Sequence, residues 1–449
     1  MKCSVELRDG PFRSTGETER KGPSLRSVPP FHVPLAERML KEMTDKKRPA
    51  GKRWAFSILA AHLQRRRLLS VQAAHLRMCR PLSVQAVHLK KRRAVSLLAA
   101  LLLAVLLPGG ALGAEGRWLT LTEQADQSML FQVADEYTGT VRLTFLGDCT
   151  LGGEESMSGS AFGFNERIRQ EGMAFPFRNL LALTAGDDLT LANLEGVLSD
   201  RKLEKVPKEY NFIGPTAYTE ILTLGGIDSV TLANNHSHDY GEEGYADTVA
   251  ALEEAGIGWL GTDAPAIWRS GDGVMIGFLG ASWSLTGNRY TRFARQAKML
   301  KEAGCAAIIT VMHAGTEYSY AAPDARQKQI VSRAVQCGSD LIIGHHPHVV
   351  QGMDCVDGVP VVYSLGNCSF GGTTRAKDSD ALAVQAELSF TESELTGITL
   401  RCLPISITSD DRYNNYSPRL LSGGDAERVL RKMKESTGFD VPEGTVTFR

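Results

Sequence analysis

The chain has 449 residues, enough for two or three average domains or for one large domain with extensions, and its 50 Lys/Arg nearly balance 51 Asp/Glu. That balance conceals a division: residues 1–93 hold 22 Lys/Arg against 7 Asp/Glu, while the rest holds 28 against 44. Segments so unlike in charge do not belong to one folded unit, and the acidic main part, net −16, argues against nucleic acid as a partner.

In chain order, residues 1–77 scatter Pro, Arg and Ser without helical or strand periodicity, as expected of an over-extended or disordered basic segment. LSVQAAHL at Leu69 recurs as LSVQAVHL at Leu82, an offset too short and too rarely repeated for a repeat architecture. Translation is expected to start at Met78. From Lys90 the chain reads KKRRAVSLLAALLLAVLLPGGALGAEG: a basic flank, a stretch apolar but for Ser96, a Pro-Gly break, then small residues. This is the layout of a secretory signal peptide over 78–114, with cleavage after Gly113 or Ala114. The apolar stretch falls short of the ~20 residues that span a bilayer. The expectation is an exported protein at the extracytoplasmic face of a bacterial cell, anchored in the membrane if the signal is not cleaved. Residues 115–140 read as a linker. Six cysteines follow, with no CxxC pair or zinc-ribbon spacing, and they assign no disulfide.

From Val141, short apolar runs bounded by Gly, Asp or Asn alternate with amphipathic stretches. VRLTFLG, DLTLANL, DSVTLAN, VMIGFLG, AAIITVM, DLIIG and VPVVYSLG read as strands; YTEILTLGG, GYADTVAALEEAG, FARQAKMLKEAG and DARQKQIVSRAVQCG read as helices. Nearly continuous apolar strands alternating with helices predict an α/β domain over 141–449 with a largely buried sheet. After Ala381, ALAVQAELSF and TGITLRCLPI resemble antiparallel strands closing a second sheet, and a last helix is expected over 425–434.

Polar residues cluster just behind the strands, where open α/β sheets bind ligands. Asp148 follows the first run, Asn193 and Glu195 the second, and Asn234, Asn235, His236, His238 and Asp239 the third. His313, with Glu317 four residues on, follows another, and LIIGHHPHVVQ places His345, His346 and His348 around Pro347. Singly, each has an ordinary explanation as a turn residue or a solvated strand end. Together they hold all six histidines that follow the signal peptide. Imidazole nitrogen combined with Asp, Glu and Asn oxygen suits Zn, Mn or Fe better than Ca or Mg.

GDCTLGG, NLEG, LANNHSHDYGEEG, HAGTEY, GHHPHVVQG and YSLGN, in this order, resemble the bacterial capsule-synthesis protein CapA family, whose domain is similar to the calcineurin-like metallophosphoesterases. The similarity runs from about Val141 to Pro404. It implies a four-layer α/β sandwich, two mixed sheets flanked by helices, with two divalent metal ions at the strand ends. Carried over, it makes Asp148 and His348 ligands of the first metal and Glu195 the bridging carboxylate, aided by Asn193. Asn235, His313 and His346 take the second metal, and His236 matches the general acid. Thr150 stands where the wider superfamily has a histidine, which weakens the first metal's donor set. His238 and His345 match no ligand and are expected to orient the others. Cys149 and Cys368 are expected to approach the site.

The resemblance implies metal-dependent hydrolysis of a phosphoester, in the biosynthesis of a capsule, of poly-γ-glutamate or of another envelope polymer. The substrate would be an anionic polymer or a phosphoester, and membrane-bound capsule-synthesis proteins the partners. A non-catalytic, metal-stabilised subunit of a membrane polymer-synthesis complex is the alternative.

Overall fold

The computed structural model describes residues 116–121, 136–157 and 159–448; segments 1–77 and 78–114 lie outside them. In chain order the first strands are β1 (Arg117–Thr120), β2 (Gly139–Thr150), β3 (Leu189–Leu194), β4 (Val197–Leu198), β5 (Ile213–Gly214) and β6 (Ser229–Thr231). β7 (Gly258–Leu260), β8 (Ala266–Arg269), β9 (Met275–Ser282), β10 (Ala307–His313), β11 (Leu341–His345) and β12 (Val350–Val356) follow. The last are β13 (Val359–Leu365), β14 (Asn367–Phe370), β15 (Asp380–Thr391), β16 (Glu394–Ser406), β17 (Arg419–Leu420) and β18 (Thr445–Phe448). The helices are α1 (Phe164–Glu171), α2 (Leu181–Thr184), α3 (Thr219–Leu224), α4 (Gly241–Ala255), α5 (Gly287–Glu302), α6 (Ala325–Cys337) and α7 (Gly423–Thr437).

β3, β10 and β11 are buried at every position, which is why their sequences run apolar instead of alternating. Two large mixed sheets result. One orders its strands β1-β8-β9-β10-β11-β13-β12; the other runs β17-β16-β15-β2-β3-β6-β7, with β14 beside β2 and β18 beside β16. Adjacent strands among β2, β3, β6 and β7, and among β9, β10, β11 and β13, are parallel.

Three apolar layers separate four structural ones. Phe145, Leu191, Phe278, Ile309, Ile343 and Leu382 pack between the sheets, and Val429 and Met433 of α7 join them. Phe164, Ile168, Ile221, Leu222 and Leu252 seat α1, α3 and α4 on the outer face of the nine-stranded sheet. Phe293, Leu300, Ile330 and Val331 seat α5 and α6 on the seven-stranded one. This is the helix–sheet–sheet–helix sandwich expected, but the break between sheets does not fall at Ala381. β15 pairs antiparallel with β2 and extends the first sheet, while the strands from β8 to β13 build the other. The stretch read as linker contains β1, which pairs with β8 and so belongs to the fold.

Local signals agree with the layers. Asp324 caps α6 by accepting from the Arg326 and Gln327 amides, and Gln327 accepts from the Asp324 amide in return. The same Gln327, fully buried, donates to Gln351 at 2.7 Å and ties α6 to β12.

At the start of β3, remote from the strand ends that carry the histidines, lies a buried carboxyl group. Burial, opposed by the Thr144 and Thr190 hydroxyls and reinforced by Asp228, pushes Asp187 up to about 7. The native state therefore holds this proton where the unfolded chain, titrating at ~3.9, has lost it, and stability falls as pH rises from about 4 through 7. Asp187→Asn is expected to remove that fall: its melting temperature exceeds wild type by about 2–5 °C at pH 8 and matches it near pH 4. Parallel melting curves against pH check this.

Candidate metal centre

The carboxyl ends of parallel strands from both sheets meet. From the nine-stranded sheet come Asp148 at the end of β2, Asn193 and Glu195 around the end of β3, and Asn234 and Asn235 behind β6. From the other come His313 at the end of β10 and His345, His346 and His348 at and behind β11. The β10–β11 register sets His313 beside His345. Gly344 precedes them because a Cβ there would lie 2.1 Å from the Tyr363 carbonyl oxygen. His346 and His348 both take left-handed backbone, φ 98° and 57°, flanking Pro347. Bulky residues hold that conformation only where the surroundings impose it; here it turns both rings into one buried site.

Glu195 lies at the middle, fully buried, and neither carboxylate oxygen has a hydrogen-bond donor. Its Oε1 is 3.5 Å from His313 Nε2, and its Oε2 is 4.0 Å from His348 Nδ1. His313 Nε2 also lies 2.7 Å from Asn235 Oδ1 and 3.1 Å from His346 Nδ1. On the other side, His348 Nδ1 is 3.2 Å from Asp148 Oδ2 and 2.9 Å from Asn367 Oδ1. Asp148 accepts from the Asn193 amide at 2.8 Å and from the His346 backbone N–H at 3.3 Å. Glu195, His346 and His348 present ligand atoms all within 4.8 Å of one another.

The electrostatics follow from this crowding. Burial, then the charge of His346, holds His313 well below the usual imidazole range, and burial, then His348, lowers His346 to about 4. Both rings are thus neutral at pH 7, the form that ligates metal. Burial drives the Glu195 carboxyl well up, against the pull of His348. Burial opposes charge on His348 too, yet Glu195 and Asp148 raise it to about 10, so its imidazolium supplies the positive charge between the two carboxylates. A buried carboxyl group with no donor, facing the neutral His313 ring on one side and the imidazolium of His348 on the other, holds protons where a divalent cation would replace them. The residues fit a divalent metal ion.

His236 stands at the rim, 3.8 Å from Glu195 through Nε2. Its Nδ1 faces Asp239 Oδ2 at 2.8 Å, and its ring packs on Phe212, centroids 4.5 Å apart. Asp239, fully buried, also accepts from the Phe212 amide at 2.6 Å and pairs with Lys208. Nδ1 also lies 3.1 Å from Lys208 Nζ; Asp239 holds the ring with Nε2 on the side toward the centre, where the imidazolium form carries a proton to donate.

The structure thus brings together Asp148, Asn193, Glu195, Asn235, His313, His346 and His348, with His236 beside them. His345 is fully buried and 3.2 Å from Asp148, though neither ring nitrogen makes a hydrogen bond. Thr150 is buried with its hydroxyl unpartnered. His238 is not in the centre: it is exposed and stacks on Tyr245. Glu317 is exposed on the loop behind β10. Cys149 and Cys368 are free thiols, buried in the layer under the helices where they hydrogen-bond, and are not at the site.

Three contributors were not singled out as site residues. Asp239 was visible, three residues after His236 in the same motif, and Asn367 ends YSLGN. Lys208 had no signal; only the fold carries its loop to Asn235, whose carbonyl it reaches at 2.9 Å.

Two mixed sheets sandwiched between helices, with imidazoles and carboxylates converging at the strand ends, make an α/β sandwich consistent with a metallophosphoesterase-like fold. The model of the bacterial capsule synthesis protein PGA_cap family matches residues 142–371, which include every residue of the centre, and the chain belongs to that family. Among its relatives, the capsule biosynthesis protein CapA of Bacillus anthracis is 27% identical over 263 residues, 53% of this chain and 62% of that protein. The PGA biosynthesis protein CapA of Bacillus subtilis is 28% identical over 258 residues, 53% of this chain and 65% of that one. A protein of Mycobacterium tuberculosis named "probable polyglutamine synthesis accessory protein" is 28% identical over 166 residues, 30% and 43% of the two chains. The match thus spans less than two thirds of the length of each of these relatives.

Proposed function

We propose that this protein is an exported, metal-dependent hydrolase of phosphoester type that acts in the biosynthesis of a capsule or poly-γ-glutamate-like envelope polymer. The observation that carries the reading is Glu195: two buried oxygens without donors, Oε1 turned to His313 and Oε2 to His348. That division supports two cation positions, one among Glu195, Asn235, His313 and His346, the other among Glu195, Asp148 and His348. A divalent ion bound there supplies a water of lowered pKa and positive charge for a developing phosphoryl oxyanion. Nitrogen-rich donors favour Zn, Mn or Fe.

The chain's own residues do the rest. Asn193, donating to Asp148, fixes that carboxylate, and Asn234 fixes Asn193 by donating to its Oδ1 at 2.9 Å. Asn367 orients the His348 ring. Asp239 holds His236 with Nε2 toward the centre, placed to protonate a departing alkoxide. The names of the relatives supply the polymer context, and the basic-flanked apolar segment before residue 115 supplies the export.

The test is turnover of bis-p-nitrophenyl phosphate by purified protein. Expected is hydrolysis abolished by EDTA and restored by Mn²⁺ or Zn²⁺. Tight metal binding with no turnover of this or an alkyl phosphodiester overturns the hydrolase reading in favour of a metal-stabilised subunit of a synthesis complex.

A further inference from the structure

The two helix layers of the sandwich carry opposite charge. Outside the nine-stranded sheet, α4 holds Glu242, Glu243, Asp247, Glu253 and Glu254 and no Lys or Arg. Outside the seven-stranded sheet, α5 holds Arg289, Arg292, Arg295, Lys298 and Lys301 against Glu302 alone. The neighbouring α6 adds Arg326, Lys328 and Arg333 with no acidic residue. We propose that the outward face of α5 and α6 docks on an anionic membrane surface and sets the metal centre at the level of the lipid headgroups. This orientation goes beyond the proposed function and rests on its export reading.

Most of these cations are uncommitted. Of the nearby carboxylates, Asp263 pairs with Arg292 at 2.7 Å and Glu302 with Lys298 at 3.4 Å. Asp324 caps α6, and Asp340 accepts from the Ile308 amide at 2.8 Å. Arg289, Arg295, Lys301, Arg326, Lys328 and Arg333 have no carboxylate within ion-pair distance among the described residues, and all but Arg333 are exposed. Arg333 lies over the Tyr290 ring at 4.4 Å, which joins α6 to α5 in one surface. Each Lys or Arg close to an anionic membrane strengthens partitioning by about fivefold, so six act together strongly.

Three observations select a bilayer as the occupant. The cations spread over the exposed sides of two adjacent helices, which suits a plane of headgroups better than a single polymer strand, and the acidic α4 layer on the far side is repelled from that plane. The chain also enters the fold here. β1 edges the seven-stranded sheet, and Leu121 behind it packs with Phe293 of α5 and Ile330 of α6. The apolar stretch ends at Leu107 and β1 begins at Arg117, so a retained anchor lies at most ~35 Å of chain away. Finally, the face reaches the metal centre. Arg326 covers the Trp283 ring at 4.8 Å, and that ring, 49% exposed, lies 6.4 Å from His346 between centroids. An indole under a guanidinium suits the headgroup layer, where amphipathic side chains keep their polar ends wet.

Lysine acetylation read residue by residue tests this on the purified protein, with vesicles of phosphatidylcholine alone or mixed equally with phosphatidylglycerol. Expected is that Lys298, Lys301 and Lys328 react at least fivefold more slowly with the mixed vesicles, while Lys202, Lys205 and Lys434, on other elements, keep their rates. Salt at 1 M, where the Debye length is ~3 Å, abolishes the slowing. So does the combined variant Arg289→Gln, Arg295→Gln and Arg326→Gln, which leaves the lysine probes in place; a melting temperature equal to wild type verifies that it folds. Equal slowing by phosphatidylcholine alone, slowing at all six lysines, or no effect of the variant overturns the proposal. Slowing without vesicles that grows with protein concentration assigns the face to a second copy, and equal slowing by soluble poly-γ-glutamate assigns it to a polymer; either overturns the membrane. Recovery of the protein from the cytoplasmic fraction refutes the export reading and leaves the face standing.

Discussion

Replacing His236 with asparagine is expected to lower turnover of an alkyl phosphodiester by about 10²–10⁴-fold, the usual contribution of a positioned general acid, with no change in bound metal per protein. The ring is close enough to act on a group held at the centre, its Nε2 being 3.8 Å from Glu195, yet its other nitrogen is committed to Asp239 at 2.8 Å. His313, His346 and His348 fill the buried positions without it, and Asn235 reaches His313 from the exposed side. The loss is smaller for a nitrophenyl ester, because a nitrophenolate leaves without being protonated. Asp239→Asn shows the same pattern in weaker form: it leaves the ring in place but no longer fixes the proton on Nδ1. Parallel metal analysis and kinetics on the two ester classes decide the matter. Metal loss in His236→Asn, or equal rate losses on both esters, refutes the acid role.

Much of this centre was legible before folding because its donors sit behind strands. A strand end presents side chains to a crevice, so a polar residue following an apolar run is a candidate wherever several such runs are parallel. Asp148, Glu195, His313 and His346 each satisfied that condition. The layered class was legible for a similar reason, since strands buried on both faces lose their alternation. Sheet membership was not. β16 alternates as a half-buried strand does while the first seven residues of β15 are all buried, and nothing within the hairpin states that β15 docks along β2. Roles that depend on side-chain direction were equally hidden. His236 and His238 are two residues apart; Asp239 turns one toward the metal centre, while the other stacks on Tyr245 outside it. Cys149 adjoins Asp148 in sequence, but successive residues of a strand face opposite sides, so its thiol lies under the helices.

Glu195→Gln is expected to move stability in opposite directions with and without metal. In the metal-free protein this side chain is fully buried and receives no hydrogen bond; burial drives its titration well up, so it either takes up a proton or keeps a charge that its neighbours only partly offset, and both cost stability. Glutamine has the same shape and no charge, so the metal-free variant melts about 2–5 °C above metal-free wild type. A ligand that binds only the native state at a hundred times its dissociation constant stabilises by about 2.7 kcal/mol. Wild type therefore gains on addition of Mn²⁺, whereas the variant, stripped of the one carboxylate that faces both groups of imidazoles, gains little, and the order of the two melting temperatures reverses. Asp148→Asn tests the same logic at a carboxylate that does have partners. Asn193 and the His346 amide already donate to it, so its removal lowers metal-free stability instead of raising it. If Glu195→Gln destabilises the metal-free protein, or keeps the full metal-induced gain, the buried carboxylate is a structural group and not a metal ligand. Melting curves of the three proteins with EDTA and with excess Mn²⁺ are sufficient to distinguish these outcomes.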